Sequence, residues 1–137
     1  MTRGIKIGII LLGVVILIGF IFFTANFNIF GEPKEKTLKT ECDYEGLREI
    51  KMTEVEGNAT TNNSIHIYAT DCNYDKNNDS ELIFIASASF MTQKDVDFKW
   101  KNFDTLTIKY NSKLDLFLQK TESESIKPII IIEYKTE

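Results

Sequence analysis

Polar and apolar positions divide this chain into two unlike parts. Residues 7–25 read IGIILLGVVILIGFIFFTA, nineteen consecutive positions without a charge. As a helix rising about 1.5 Å per residue, the run extends roughly 28 Å, the thickness of a bilayer's hydrocarbon core. Beyond it the period changes from continuous to alternating. Ile65, Ile67 and Ala69 interleave with His66, Tyr68 and Thr70, and Val96, Phe98 and Trp100 interleave with Asp97 and Lys99. Leu106, Ile108 and Tyr110 alternate with Thr107 and Lys109. A period of two is the mark of half-buried strands.

Strands are therefore predicted at 48–56, 64–70, 82–90, 96–100, 106–110 and 114–118. Pro128 opens a last one, because a strand's first position tolerates the missing N–H. Asn102 to Asp104 is a reversal, so 96–100 and 106–110 read as a hairpin. Residues 57–63, 71–80 and 121–125 carry turn chemistry. No helical period appears after the first segment. The fold class is an N-terminal transmembrane α-helix followed by an all-β domain of about six or seven strands, an antiparallel sheet or a sandwich.

The ends of the apolar run specify an uncleaved signal anchor, for cleavage after Ala25 would put Phe23 at −3, where small residues are required. Arg3 and Lys6 precede the run with no acid beside them, which keeps the N-terminus cytoplasmic. The division is then a cytoplasmic stub at 1–6, a transmembrane helix from Ile7 to Ala25, a linker at 26–41 containing Gly31 and Pro33, and an extracytoplasmic β-rich domain at 42–137. Gly4 and Gly8 are spaced as in helix pairs that pack closely, which allows a weak helix-mediated dimer.

Charge narrows the partners. From Glu32 onward there are 14 Lys plus Arg against 20 Asp plus Glu, a net of −6. Such a domain repels phosphate, so nucleic acid is excluded and an anionic lipid surface is disfavoured. The only cysteines, Cys42 and Cys72, both fall in the domain. Outside the cytoplasm an even pair is expected to form a disulfide, and no C-x-x-C or Cys/His spacing points to a metal or redox centre.

Candidate chemistry is sparse. Asp71, Asn73, Asp75, Asn77, Asp79 and Glu81 place an oxygen-bearing side chain at every second position. Read as a calcium loop from Asp71, they supply the right types at Asp71, Asn73, Asp75 and Asp79. Lys76 then stands where glycine is needed and Leu82 where a bidentate glutamate is needed. A polar hairpin turn is the simpler reading. His66, the single histidine, has no evident base or orienting acid beside it and reads as an exposed strand residue. Asp95 and Asp97 resemble paired carboxylates but fit a solvated face. Phe98, Trp100 and Tyr110 fit a core better than a binding surface.

Gly57-Asn58-Ala59-Thr60-Thr61 ahead of an alternating strand, followed by Trp100, Leu106, Ile108 and Tyr110 in a W-x-x-x-x-x-L-x-I-x-Y pattern, resembles small bacterial membrane-anchored proteins of uncharacterised function. Those carry a G-G-A-T-T turn, and Asn58 stands here in place of the second glycine. The resemblance implies a single N-terminal helix and a β-rich outer domain, with no activity attached. The expectation is a tethered, non-enzymatic module without cofactors that binds an envelope protein, with the Ile129–Tyr134 strand as a docking edge. Alternatives are a calcium-dependent module or enzyme using the 71–81 turn, and a prophage-type envelope exclusion factor.

Overall fold

The computed structural model describes residues 3–26, 33–57, 61–72, 80–89, 92 and 94–137, with the side chains of the helix described at 4 and 7–23. The chain divides into two units, 1–32 and 33–137. The first contains one helix, α1 (Arg3–Asn26), and its described large apolar side chains are exposed along their whole length. On the described residues alone, no helix is long and apolar enough to cross a membrane.

The second unit forms eight strands, β1 (Glu35–Cys42), β2 (Arg48–Val55), β3 (Ser64–Asp71), β4 (Glu81–Ser87), β5 (Val96–Trp100), β6 (Thr105–Tyr110), β7 (Asp115–Gln119) and β8 (Ile131–Thr136). Five of them make one sheet in the order β1-β2-β3-β4-β7, and three make a second in the order β5-β6-β8. The β-rich expectation is met as a two-sheet sandwich. Alternate residues of β2, β3, β5 and β6 turn inward, and Ile50, Ile67, Phe98, Trp100, Leu106 and Ile108 join one buried cluster with Phe84 and Ile132. Phe84 meets Tyr110 and Tyr134 across the gap, at ring-centroid distances of 5.8 and 5.9 Å.

Three features depart from the sequence expectation. Residues 35–41, assigned to the linker, belong to a strand, β1, paired with β2. EKTLKTEC offers one large apolar residue, Leu38, because an edge strand needs little burial and charges protect its open side. The last strand begins at Ile131 and not next to Pro128, whose carbonyl is taken by Arg48. Finally, β8 runs parallel to β6. The chain leaves β6 at Tyr110, runs back along the other sheet as β7, and re-enters beside Thr105, the end at which β6 began, which fixes the parallel sense.

The hairpin of β5 and β6 is present in the expected register, Phe98 opposite Ile108 and Trp100 opposite Leu106. β4 stops at Ser87, short of Phe90, which lies outside the described residues. A bulge at Ile83, opposite the step from Ile67 to Tyr68, lets both Ile83 and Phe84 be buried. Gly57 has no room for a side chain, since a Cβ there would lie 2.0 Å from the Thr61 carbonyl oxygen.

Candidate functional site

Arg48 starts β2 on its inward face and is wholly buried, yet every nitrogen of its guanidinium is hydrogen-bonded. Its Nε donates to Asp43 Oδ2 at 2.6 Å. One terminal nitrogen donates to the carbonyls of Pro128 and Ile129 at 2.9 and 3.2 Å, and the other to that of Phe103. The guanidinium also lies 5.4 Å from the Trp100 ring centroid and 5.3 Å from that of Phe103. A buried cation demands such saturation, because an unpaired one costs several kcal/mol.

Asp43 is prepared locally. Its Oδ1 accepts from the N–H groups of Glu45 and Leu47, and Gly46 at φ 69° closes the turn. Burial alone would raise the Asp43 pKa, but the Arg48 hydrogen bond and the Leu47 N–H outweigh it and hold the carboxyl below its ordinary value.

The consequence is a tip. Arg48 ties together the loops after β1, β5 and β7, and these carry Tyr44, Leu47, Phe103 and Ile129, all exposed large apolar residues. Tyr44 is 71% exposed. The tip lies at the end of β1 remote from Glu35, so it is the end of the sandwich away from where the chain arrives. Beside the guanidinium, Trp100 Nε1 is buried without a hydrogen-bond partner. Sequence reasoning missed this arrangement. Only the Asp43-x-x-Gly46 turn was visible locally, and the carbonyl acceptors come from 55 to 81 residues away.

The 71–81 segment divides in two. Asp71 ends β3, whereas Asn73, Asp75, Asn77 and Asp79 lie outside the described residues. Among the described residues no group of three or more His, Cys, Asp or Glu could hold a metal ion. Glu81 is committed elsewhere. Its carboxylate accepts from the N–H groups of Glu124, Ser125 and Ile126, from the Ser125 hydroxyl, and from Lys120 Nζ at 3.0 Å. Burial pushes its pKa up, but these donors more than reverse that and bring it down to about 2. The carboxylates of Glu81 and, secondarily, Glu124 in turn raise the pKa of Lys120. The TESES run, read as a solvated turn, thus wraps an anion.

His66 is half-buried, not exposed. Ser64 Oγ lies 3.0 Å from Nε2 and Tyr68 Oη 3.2 Å from Nδ1, a ladder of alternate residues along β3. Burial lowers its pKa, and the Glu35 charge opposes this more weakly. Both ring nitrogens face hydroxyls, so the ladder lacks the orienting acid of a triad. Next to it on the same sheet face, a cavity of about 140 Å³ is lined by Glu49, Lys51, Tyr68 and the buried Thr53 and Thr70. Neither threonine hydroxyl has a partner.

Asp95 and Asp97 do not act as a pair. Asp95 precedes β5 and accepts from the Thr92 N–H, the Thr92 hydroxyl and Asn111, with the Thr92 N–H chiefly lowering its pKa. Asp97 binds Lys39 Nζ at 2.8 Å. Phe98 and Trp100 are buried, and Tyr110 packs against the same core, as expected.

Cys42 and Cys72 form the expected disulfide, with Cα atoms 5.7 Å apart. It joins the end of β1 to the residue after β3, across the start of β2. No known protein family, curated protein or solved structure matches the chain.

Proposed function

We propose that the chain is a single-pass membrane protein that holds a disulfide-bonded β-sandwich outside the cytoplasm and binds another envelope protein through the tip around Arg48. The observation that carries this reading is the Cys42–Cys72 bridge in a domain that follows a helix running through nineteen consecutive uncharged residues. A disulfide persists in an oxidising compartment. The nineteen uncharged residues at 7–25 are long enough to cross hydrocarbon, where only a helix satisfies its own backbone. Together they favour an outward-facing domain on a membrane tether. Confinement to a surface raises the effective concentration of any partner in the same envelope.

The tip is a better docking element than the edge at 129–134. β8 is a sheet edge, yet Ile132 N–H already donates to the Thr121 carbonyl at 2.8 Å, so part of the edge is covered by the chain itself. Tyr44, Leu47, Phe103 and Ile129 instead present large apolar side chains on loops clamped by a buried ion pair, which limits the ordering cost of binding.

A membrane-impermeant maleimide on intact cells tests the topology. Cys42 and Cys72 should label only after reductant is added, without lysis. Labelling that requires lysis overturns the proposal. A photo-crosslinker in place of Phe103 should give discrete adducts in those cells, and the same group in place of Lys51 should give none. Adducts only at Lys51 would move recognition to the other face.

A further inference from the structure

The outer face of the three-stranded sheet gathers four lysines on an acidic domain. Lys99 on β5, Lys109 on β6 and Lys135 on β8 stand exposed around Thr107, and Lys101 follows directly after β5. They line a trough of about 470 Å³ together with Tyr44 and Asp97, an acid opposite Lys109 on β5 that is itself held by Lys39 at 2.8 Å, with the nine-tenths-buried Thr107 at its floor. Register sets Lys109 beside Lys135 on adjacent strands. Like charges at paired positions destabilise a sheet. Neutralisation is incomplete: Glu133 holds Lys101 at 2.9 Å and Glu137 holds Lys109 at 3.1 Å, while Lys99 and Lys135 have no ion pair among the described residues.

A face that concentrates repelling ammonium groups around a concave floor is arranged for an anion. With no arginine on this face, recognition rests on lysine, a compact point charge with three rotatable donors that can meet the tetrahedral oxygens of phosphate without a bidentate fork. With screening over about 8 Å at physiological salt, distant acids count little, and of the acids on this face Glu133, Glu137 and Asp97 are already held by Lys101, Lys109 and Lys39.

We propose that the trough over Thr107 binds the phosphate group of an envelope anion, through Lys99 and Lys135 with Lys101 and Lys109 in support. The phosphate could be carried by a soluble polymer or by a lipid headgroup, and the site chemistry is the same for both. The trough borders the tip through Tyr44, but the two readings fail separately, one by phosphate titration and the other by crosslinking at Phe103.

The test uses the full-length chain, ¹⁵N-labelled, in micelles of an uncharged detergent, titrated with inorganic pyrophosphate. Saturable amide shifts are expected at Lys99, Thr107 and Lys135 and not at Lys51 on the other sheet. Lys99→Gln with Lys135→Gln should weaken binding about fivefold. Glu133→Gln, which frees the Lys101 ammonium, should tighten it about twofold. The tightening arm separates a site from a folding defect, because damage cannot improve affinity. Equal shifts at Lys51, or no change in affinity in either variant, overturn the proposal. A glycerol phosphate oligomer, compared with vesicles in which phosphatidylglycerol replaces part of the phosphatidylcholine, assigns the source. Binding to the oligomer identifies a polymer, and binding only to charged vesicles a headgroup.

Discussion

Replacing Glu81 with Gln isolates the largest carboxylate effect in the domain. The Glu81 side chain is 5% exposed and its oxygens are met by three backbone N–H groups, a hydroxyl and Lys120. A fall from the ordinary value of 4.5 to about 2 corresponds to roughly 3 kcal/mol of folding free energy, at about 1.4 kcal/mol per pH unit. The sign follows from proton binding. Below pH 4.5 the unfolded chain takes up a proton that the folded one resists until about pH 2, so this stabilisation is complete above 4.5 and vanishes on descent to 2. Glu81→Gln keeps the volume, removes the charge, and turns an amide NH₂ toward a set of donors. It should therefore cost about 3 kcal/mol at pH 7, and the gap from wild type should shrink steadily between pH 4.5 and 2. Urea titrations across that range serve as the assay, followed by the fluorescence of Trp100, the only tryptophan and 2% exposed. Asp43 and Asp95 are also held below their ordinary values in both proteins, so the difference between variants is the informative quantity. A gap that stays constant from pH 7 to 2 would refute the argument.

Other outcomes follow from the same geometry. Replacing Cys42 and Cys72 with serine frees a link between positions 30 apart and should cost about 3.5 kcal/mol on the chain-entropy account, seen as a lower urea midpoint that reductant no longer changes. Arg48→Met leaves Asp43 buried without its cation, with an expected loss of about 3–5 kcal/mol in the same titration. Asp43→Asn, which keeps an acceptor for Leu47 N–H, should cost less than Arg48→Met. His66 is held below its ordinary 6.5 by burial, so its contribution to stability is full above 6.5 and declines as pH drops below that value. His66→Gln should flatten the stability profile just below pH 6.5, and an unchanged slope there would count against a buried neutral ring.

Several elements were readable from local pattern because their cause is local. β2, β3, β5 and β6 each alternate large apolar with polar residues, since one face meets the core and the other water, and those four lie centrally or form the hairpin. β1 is an edge with one large apolar residue, so the period that reveals a strand is absent. The parallel sense of β8 depends on where β7 goes, which no window of residues records. Glu81 could be seen as an acid in a polar run, but its donors lie 39 to 45 residues on.

By itself, then, the order of residues determined an uncharged N-terminal run, a helix through it, a β-rich domain with a cysteine pair, and a core built on Phe98 and Trp100. All are consequences of hydrophobic period and residue type along the chain. Tertiary structure alone decided that Arg48 clamps three loops into an apolar tip, that Glu81 is consumed by the backbone of 124–126, and that lysines from three strands share one trough. The physical reason is common to all three. Buried charge and clustered charge are governed by groups brought together across the sandwich, and their energies depend on distance in space, not on separation in sequence.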